Sequence, residues 1–119
     1  NPKNILGHSD VAPDRKKDPG EKFPWEYLSQ KKVGLWHTEK KQELIKNRKV
    51  KISNVDKKCF FNNLFQIGYS KKIQKNMNKK NYFKNITKTF QRRFRQELVN
   101  GKIDRECLLI STNILKIYN

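Results

Sequence analysis

Long apolar runs are missing from this sequence: no stretch approaches the ~20 residues that a membrane-spanning helix needs, and no signal peptide is visible. Cysteine is scarce, with only Cys59 and Cys107, far apart and without C-x-x-C spacing. That excludes a zinc knuckle and a thioredoxin-like redox site. Both cysteines read as small buried hydrophobes, with a disulfide between them only if they fall on packed neighbouring helices in an oxidising compartment. Acidic residues are few, 11 against 28 Lys and Arg, and only 34% of the 119 residues are apolar, with a mean hydropathy of −0.99. The chain holds at most one ordinary domain and a small core. Its net charge of +17 and pI of about 10.1 are those of a polyanion binder. The excess is mostly Lys, however, spread from Lys3 to Lys116 among abundant Asn and Ile. An AT-rich coding sequence produces the same bias, so charge alone names no ligand.

What is present is concentrated in residues 7–25, Gly-His-Ser-Asp-Val-Ala-Pro-Asp-Arg-Lys-Lys-Asp-Pro-Gly-Glu-Lys-Phe-Pro-Trp. His8 and Asp18 stand ten residues apart, joined by a loop that holds Pro13 and closes at Pro19-Gly20. The chain can fold back there and aim both side chains at one cation, which is half of a zinc site. In an arbitrary basic protein such a pair is more often two surface groups. The flanking Gly7, Pro13, Arg15, Lys16, Pro19, Gly20, Phe23, Pro24 and Trp25 reverse that judgement. Ser9 and Asp10 beside His8 do not make a hydrolase triad, because adjacent residues of an extended strand face opposite ways. Asp10 shapes the loop by bonding nearby backbone.

Further along, Pro24 suits the first turn of a helix over 24–31. Residues 32–53 read as a solvated connector: Gly34-Leu35-Trp36 breaks the helical pattern and 39–51 is highly charged. His37 is expected to be exposed there, and Trp25 and Trp36 to be packing residues. From Asn54, taken as an N-cap, helical periodicity takes over with Val55, Cys59, Phe60, Leu64 and Ile67 on one face, stopped by Gly68. A second helix carries the stripe Phe83, Ile86, Phe90 and Phe94, continued by Leu98. Asn100-Gly101 is a turn. Asp104 caps a third helix whose apolar face is Cys107, Leu108, Ile110, Ile114, Leu115 and Ile117. Phe90 and Phe94 are inward on this pattern, and Arg92, Arg93 and Arg95 are assigned to solvated faces. Three such helices of roughly 60 residues lie near the lower size limit for independent folding.

Residues 7–25, with Leu28, resemble the zinc N-acetylmuramoyl-L-alanine amidases of bacterial cell-wall turnover. The resemblance implies that His8 is the second metal histidine, Asp18 the metal aspartate and Lys16 the lysine that stabilises charge on the reacting carbonyl. Arg15 is implied to face substrate. Leu64-Phe65-Gln66-Ile67-Gly68-Tyr69, Phe90-Gln91-Arg92-Arg93-Phe94-Arg95 and Asn100-Gly101-Lys102-Ile103-Asp104 resemble the helical peptidoglycan-binding module that follows the amidase domain in some members. The implied fold is mainly α: residues 1–31 as the C-terminal remnant of an α/β amidase domain, 32–53 as connector, and 54–119 as a three-helix module. The family's first metal histidine and acid/base glutamate lie far upstream of the motif, and only seven residues precede His8. With no initiator Met either, the chain is expected to be a fragment, processed piece or truncated product that is inactive without the upstream half.

The implied chemistry is hydrolysis of the amide between N-acetylmuramic acid and L-alanine of the stem peptide by a zinc-activated water. Lys16 would offset charge on the tetrahedral intermediate. The implied cofactor is Zn2+, the partners are peptidoglycan or a muropeptide, and the setting is the cell envelope or periplasm, with the cytoplasm as alternative. Two other functions stand beside this one: a non-catalytic wall-binding module, and a basic nucleic-acid-binding helical domain.

Overall fold

The structure, a computed structural model, describes residues 26–27, 34–69 and 78–118. These residues are mainly α-helical and contain no strand. Glu26 and Tyr27 are helical, within the helix expected over 24–31. Four further helices follow: α1 (Lys41–Lys46), α2 (Asn54–Ile67), α3 (Lys79–Phe94) and α4 (Arg105–Tyr118).

Each long helix begins where a short polar side chain can accept a free backbone N–H. Ser53 Oγ accepts from Asp56 N at 3.1 Å for α2, and Asn78 Oδ1 from Asn81 N at 2.8 Å for α3. Asp104 Oδ1 accepts from Cys107 N at 3.0 Å for α4. The α2 cap is therefore Ser53, not Asn54, which is the first helical residue. Gly68 ends α2 at φ 136, a conformation that L side chains resist, and donates its N–H to Leu64 O at 3.1 Å.

The core lies between α2, α3 and α4. Phe60, Leu64 and Ile67 of α2 meet Ile86, Phe90 and Phe94 of α3 and Cys107, Ile110 and Ile114 of α4, all buried. Phe60 and Phe90 pack edge to face with centroids 5.1 Å apart, a geometry that aromatic quadrupoles favour. Asn63 also points inward and donates to Ser111 Oγ at 3.0 Å, so this buried amide is spent joining α2 to α4. The inward face of α2 is rotated from the expected one: Val55 is 75% exposed and Cys59 is exposed. Ile117 is likewise exposed near the end of α4. Cys107 is buried, and both cysteines are free thiols.

The expected solvated connector is not one. Leu35 and Leu44 are 1% and 6% exposed and belong to the core. Trp36 packs on Phe94 at 5.5 Å, and its backbone N–H donates to Tyr118 Oη at 3.4 Å. Thr38 N donates to Asn113 Oδ1 at 2.8 Å, while Asn113 Nδ2 returns a bond to Thr38 Oγ1 at 3.1 Å. Residues 35–40 thus lie extended along α4, held by a few apolar anchors that the surrounding charge concealed.

Candidate functional site

His8, Arg15, Lys16 and Asp18, the site residues expected from the sequence, lie outside the described residues. Among the described residues no group of three or more His, Cys, Asp or Glu is placed to hold a metal ion. What the structure does position are two polar centres built on the module signatures, and a cleft beside them.

The first centre is Gln91. Its side chain is fully buried in α3, three residues before the helix ends. Oε1 accepts from Asn100 N at 3.0 Å and Gly101 N at 2.9 Å, and Nε2 donates to Lys102 O at 2.9 Å. One buried amide therefore takes up two N–H groups and one carbonyl of the part-buried turn 100–102 and ties that turn to α3. Asn100 Oδ1 adds a bond from Lys102 N at 3.0 Å, and Gly101 takes φ 73. The signatures at 90–95 and 100–104 form one interlocked unit.

The second centre is ionic. Arg95 is 1% exposed and binds Asp104 through Nη1, which also lies 3.0 Å from Glu106 Oε1. Arg48 reaches Glu106 from the other side, with Nε 2.8 Å from Oε1 and Nη2 2.9 Å from Oε2, and spans to Glu97 at 2.7 Å. Arg95 was expected in solvent. A helical wheel holds only while the helix lasts, and Arg95 already has non-helical φ −143 and ψ 69, so its side chain turns in. Arg93, 2% exposed, stands three residues after Phe90 and so shares the inward stripe. Burial raises the Asp104 pKa, but bonds from Lys49 N, Arg95 and Cys107 N outweigh it and hold the carboxyl below its usual 3.8. Buried Cys107 is pushed up to about 11, which keeps it a thiol rather than a nucleophile.

Beside the ionic centre opens a cleft of about 530 Å³, walled by Tyr27, Trp36, His37, Phe94 and Glu97 and floored by Arg48. His37 is half-buried, not exposed, and stacks on Trp36 with centroids 4.8 Å apart. Its Nδ1 is buried and has no hydrogen-bond partner among the described residues. Burial lowers its pKa, against the opposing pull of Glu106 and of the Glu39 backbone. At neutral pH the ring is a neutral aromatic wall. Nothing in the sequence flagged this cleft, because residues 26–27, 36–41 and 94–106 meet only through the fold.

No protein-family profile matches the chain. Among curated proteins it is 31% identical, over 117 residues and 98% of its length, to the N-acetylmuramoyl-L-alanine amidase AmiD of Escherichia coli. Over nearly its whole length this chain is similar to part of an N-acetylmuramoyl-L-alanine amidase. The structure of the E. coli amidase AmiD in complex with its substrate anhydro-N-acetylmuramic acid-L-Ala-D-γ-Glu-L-Lys matches 99% of the chain with a TM-score of 0.77 and 31% identity. AmpDH3 of Pseudomonas aeruginosa matches 99% with a TM-score of 0.75 and 28% identity, also as a complex with an anhydromuramic pentapeptide. The chain spans less than half of these amidases, 41% of the AmiD sequence and 45% of each structure.

Proposed function

We propose that the protein carrying this chain hydrolyses the amide between N-acetylmuramic acid and L-alanine of a peptidoglycan stem peptide. The observation that carries it is the 31% identity to AmiD across 98% of the chain. His8 and Asp18 are two zinc ligands in this account; an imidazole nitrogen and a carboxylate oxygen are donors that suit the metal. Zinc, when bound, supplies the Lewis acidity that makes amide hydrolysis by water accessible at neutral pH. Lys16 holds its ammonium against the substrate carbonyl and offsets the negative charge that grows there. Arg15 faces the carboxylates of the stem peptide.

Two donors are short of the three that a catalytic zinc usually takes from protein. The remaining ligand and the acid/base carboxylate are assigned to an upstream half of the catalytic domain, completed by residues 1–31, with the helical wall-binding module, whose core takes in Leu35 and Leu44, after it. The 119 residues alone are expected to release no stem peptide. The setting that fits such a substrate is the cell envelope or periplasm; no helix among the described residues is long and apolar enough to cross a membrane.

The test is zinc content and turnover of the intact protein. His8→Ala and Asp18→Ala are expected to lose bound zinc, and with it muropeptide hydrolysis. Lys16→Ala is expected to keep zinc while turnover falls about 10²-fold or more, as for loss of one oxyanion-stabilising group. Full zinc retention by both ligand variants would sink the assignment.

A further inference from the structure

α3 has no acidic residue, and its first turn carries Lys79 and Lys80 where a helix dipole favours carboxylates. Lys80, Lys84 and Lys88 then recur every fourth residue, which stacks them on one face about 6 Å apart along the axis. Like charges at that spacing destabilise a helix. Four described carboxylates are engaged elsewhere. Glu97, Asp104 and Glu106 are tied to Arg48 and Arg95, and Glu43 to Lys46. No described carboxylate pairs with Lys80, Lys84, Lys88 or Lys102.

The turn 100–102 extends this face. A Cβ on Gly101 would lie 3.1 Å from Lys88 Cε and 3.2 Å from Lys84 Cγ. The glycine lets the turn pass directly beneath both lysine stems, and the next residue, Lys102, is exposed at the same edge. Lys80, Lys84 and Lys88 thus share one side of α3 with the turn that carries Lys102 beside it, while Glu97, Asp104 and Glu106 sit in the ionic centre.

We propose that this lysine face docks peptidoglycan through the carboxylates of its stem peptides, an inference that rests on the amidase reading above. Three observations favour this polyanion over nucleic acid. The groups are ammonium point charges on flexible stems, suited to scattered single carboxylates, whereas paired phosphate oxygens favour the guanidinium fork. No aromatic platform interleaves them: Phe83 packs tilted against Phe61 with centroids 4.4 Å apart and Tyr82 is buried. The peptide bound by AmiD contains D-γ-Glu, whose γ-linkage leaves its α-carboxylate free.

The experiment is co-sedimentation of the intact protein with purified peptidoglycan over a salt series. One variant carries Lys80→Gln, Lys84→Gln, Lys88→Gln and Lys102→Gln; a control of equal charge carries Lys51→Gln, Lys57→Gln, Lys58→Gln and Lys116→Gln, all exposed lysines. The face variant is expected to bind about tenfold more weakly, with a shallower salt dependence, and the control within about twofold. Peptidoglycan with amidated carboxylates is expected to bind both proteins alike. The face variant is also expected to melt no lower than the parent, since it loses only like-charge repulsion.

Equal weakening of both variants would reduce the effect to net charge and overturn the proposal. Tighter, face-dependent binding of a DNA duplex than of peptidoglycan would hand the surface to nucleic acid. Failure of the parent itself to sediment would count against the wall-binding reading beneath the proposal, whereas parental binding untouched by the face variant would overturn the proposal alone.

Discussion

Arg95 and Gln91 are buried polar side chains whose worth lies in what they leave behind when removed. Arg95→Met would leave the Asp104 carboxylate with backbone N–H donors but no cation, and Glu106 with Arg48 alone. Breaking a buried pair from one side costs about 3–5 kcal/mol, a large share of what a domain this size has. Chemical denaturation of the variant should show a loss of that order; a loss under about 1 kcal/mol, the worth of a surface pair, would refute the buried geometry. His37 gives a pH signature. Its folded pKa lies below the ordinary 6.5 because burial penalises the charged ring, so the unfolded chain takes up a proton that the folded one refuses. The sign follows: its contribution is fully present above pH 6.5 and is lost as pH falls below it. Asp104 and Glu97, whose pKa values are depressed, add a second loss only below their ordinary 3.8 and 4.5. Thermal melts from pH 7.5 to 5 should therefore decline for the parent and stay flatter for His37→Phe. An equal decline in both would assign the effect to another group. At this scale the sequence was least legible. The polar character of Arg93 and Arg95 argued for solvent, and Asp104 was read as a cap alone.

The elements were more legible than their details. Phe60, Leu64 and Ile67, then Ile86, Phe90 and Phe94, then Cys107, Ile110 and Ile114 repeat at helical spacing, and each set is buried. Periodicity survives small errors of phase, so three helices were foreseeable while the inward rotation of α2 was not. Val55 and Cys59 were drawn inward by hydrophobicity, whereas Asn63 takes a core place because Ser111 satisfies its amide. Stops were clear where chemistry is local: Gly68 and the Asn100-Gly101 turn both adopt positive-φ glycine conformations. The segment 34–53 was misjudged for a different reason. Its anchors Leu35, Leu44 and Arg48 are isolated in sequence, and what buries them arrives from 94 to 118. Long-range closure of that kind leaves no periodic trace.

At the scale of the described residues, charge is segregated: Glu97, Asp104 and Glu106 gather with Arg48 and Arg95 beside the cleft, and α3 with its neighbouring turn is left cationic. The module signatures were recognisable in the sequence because they are structural, with Gln91 and Arg95 clamping the turn 100–104 onto α3. His8, Lys16 and Asp18 were singled out for another reason, the density of turn-forming and ligand-type residues around them, and they lie outside the described residues. Relationship to the amidases joins the two parts, since AmiD matches across both. The most direct test of that account is release of stem peptide from purified muropeptide by the intact protein, with zinc and then with chelator, beside the 119-residue chain. Zinc-dependent, chelator-sensitive release by the intact protein and none by the isolated chain is the expected result. Absence of release from the intact protein, or release indifferent to chelator, would contradict it.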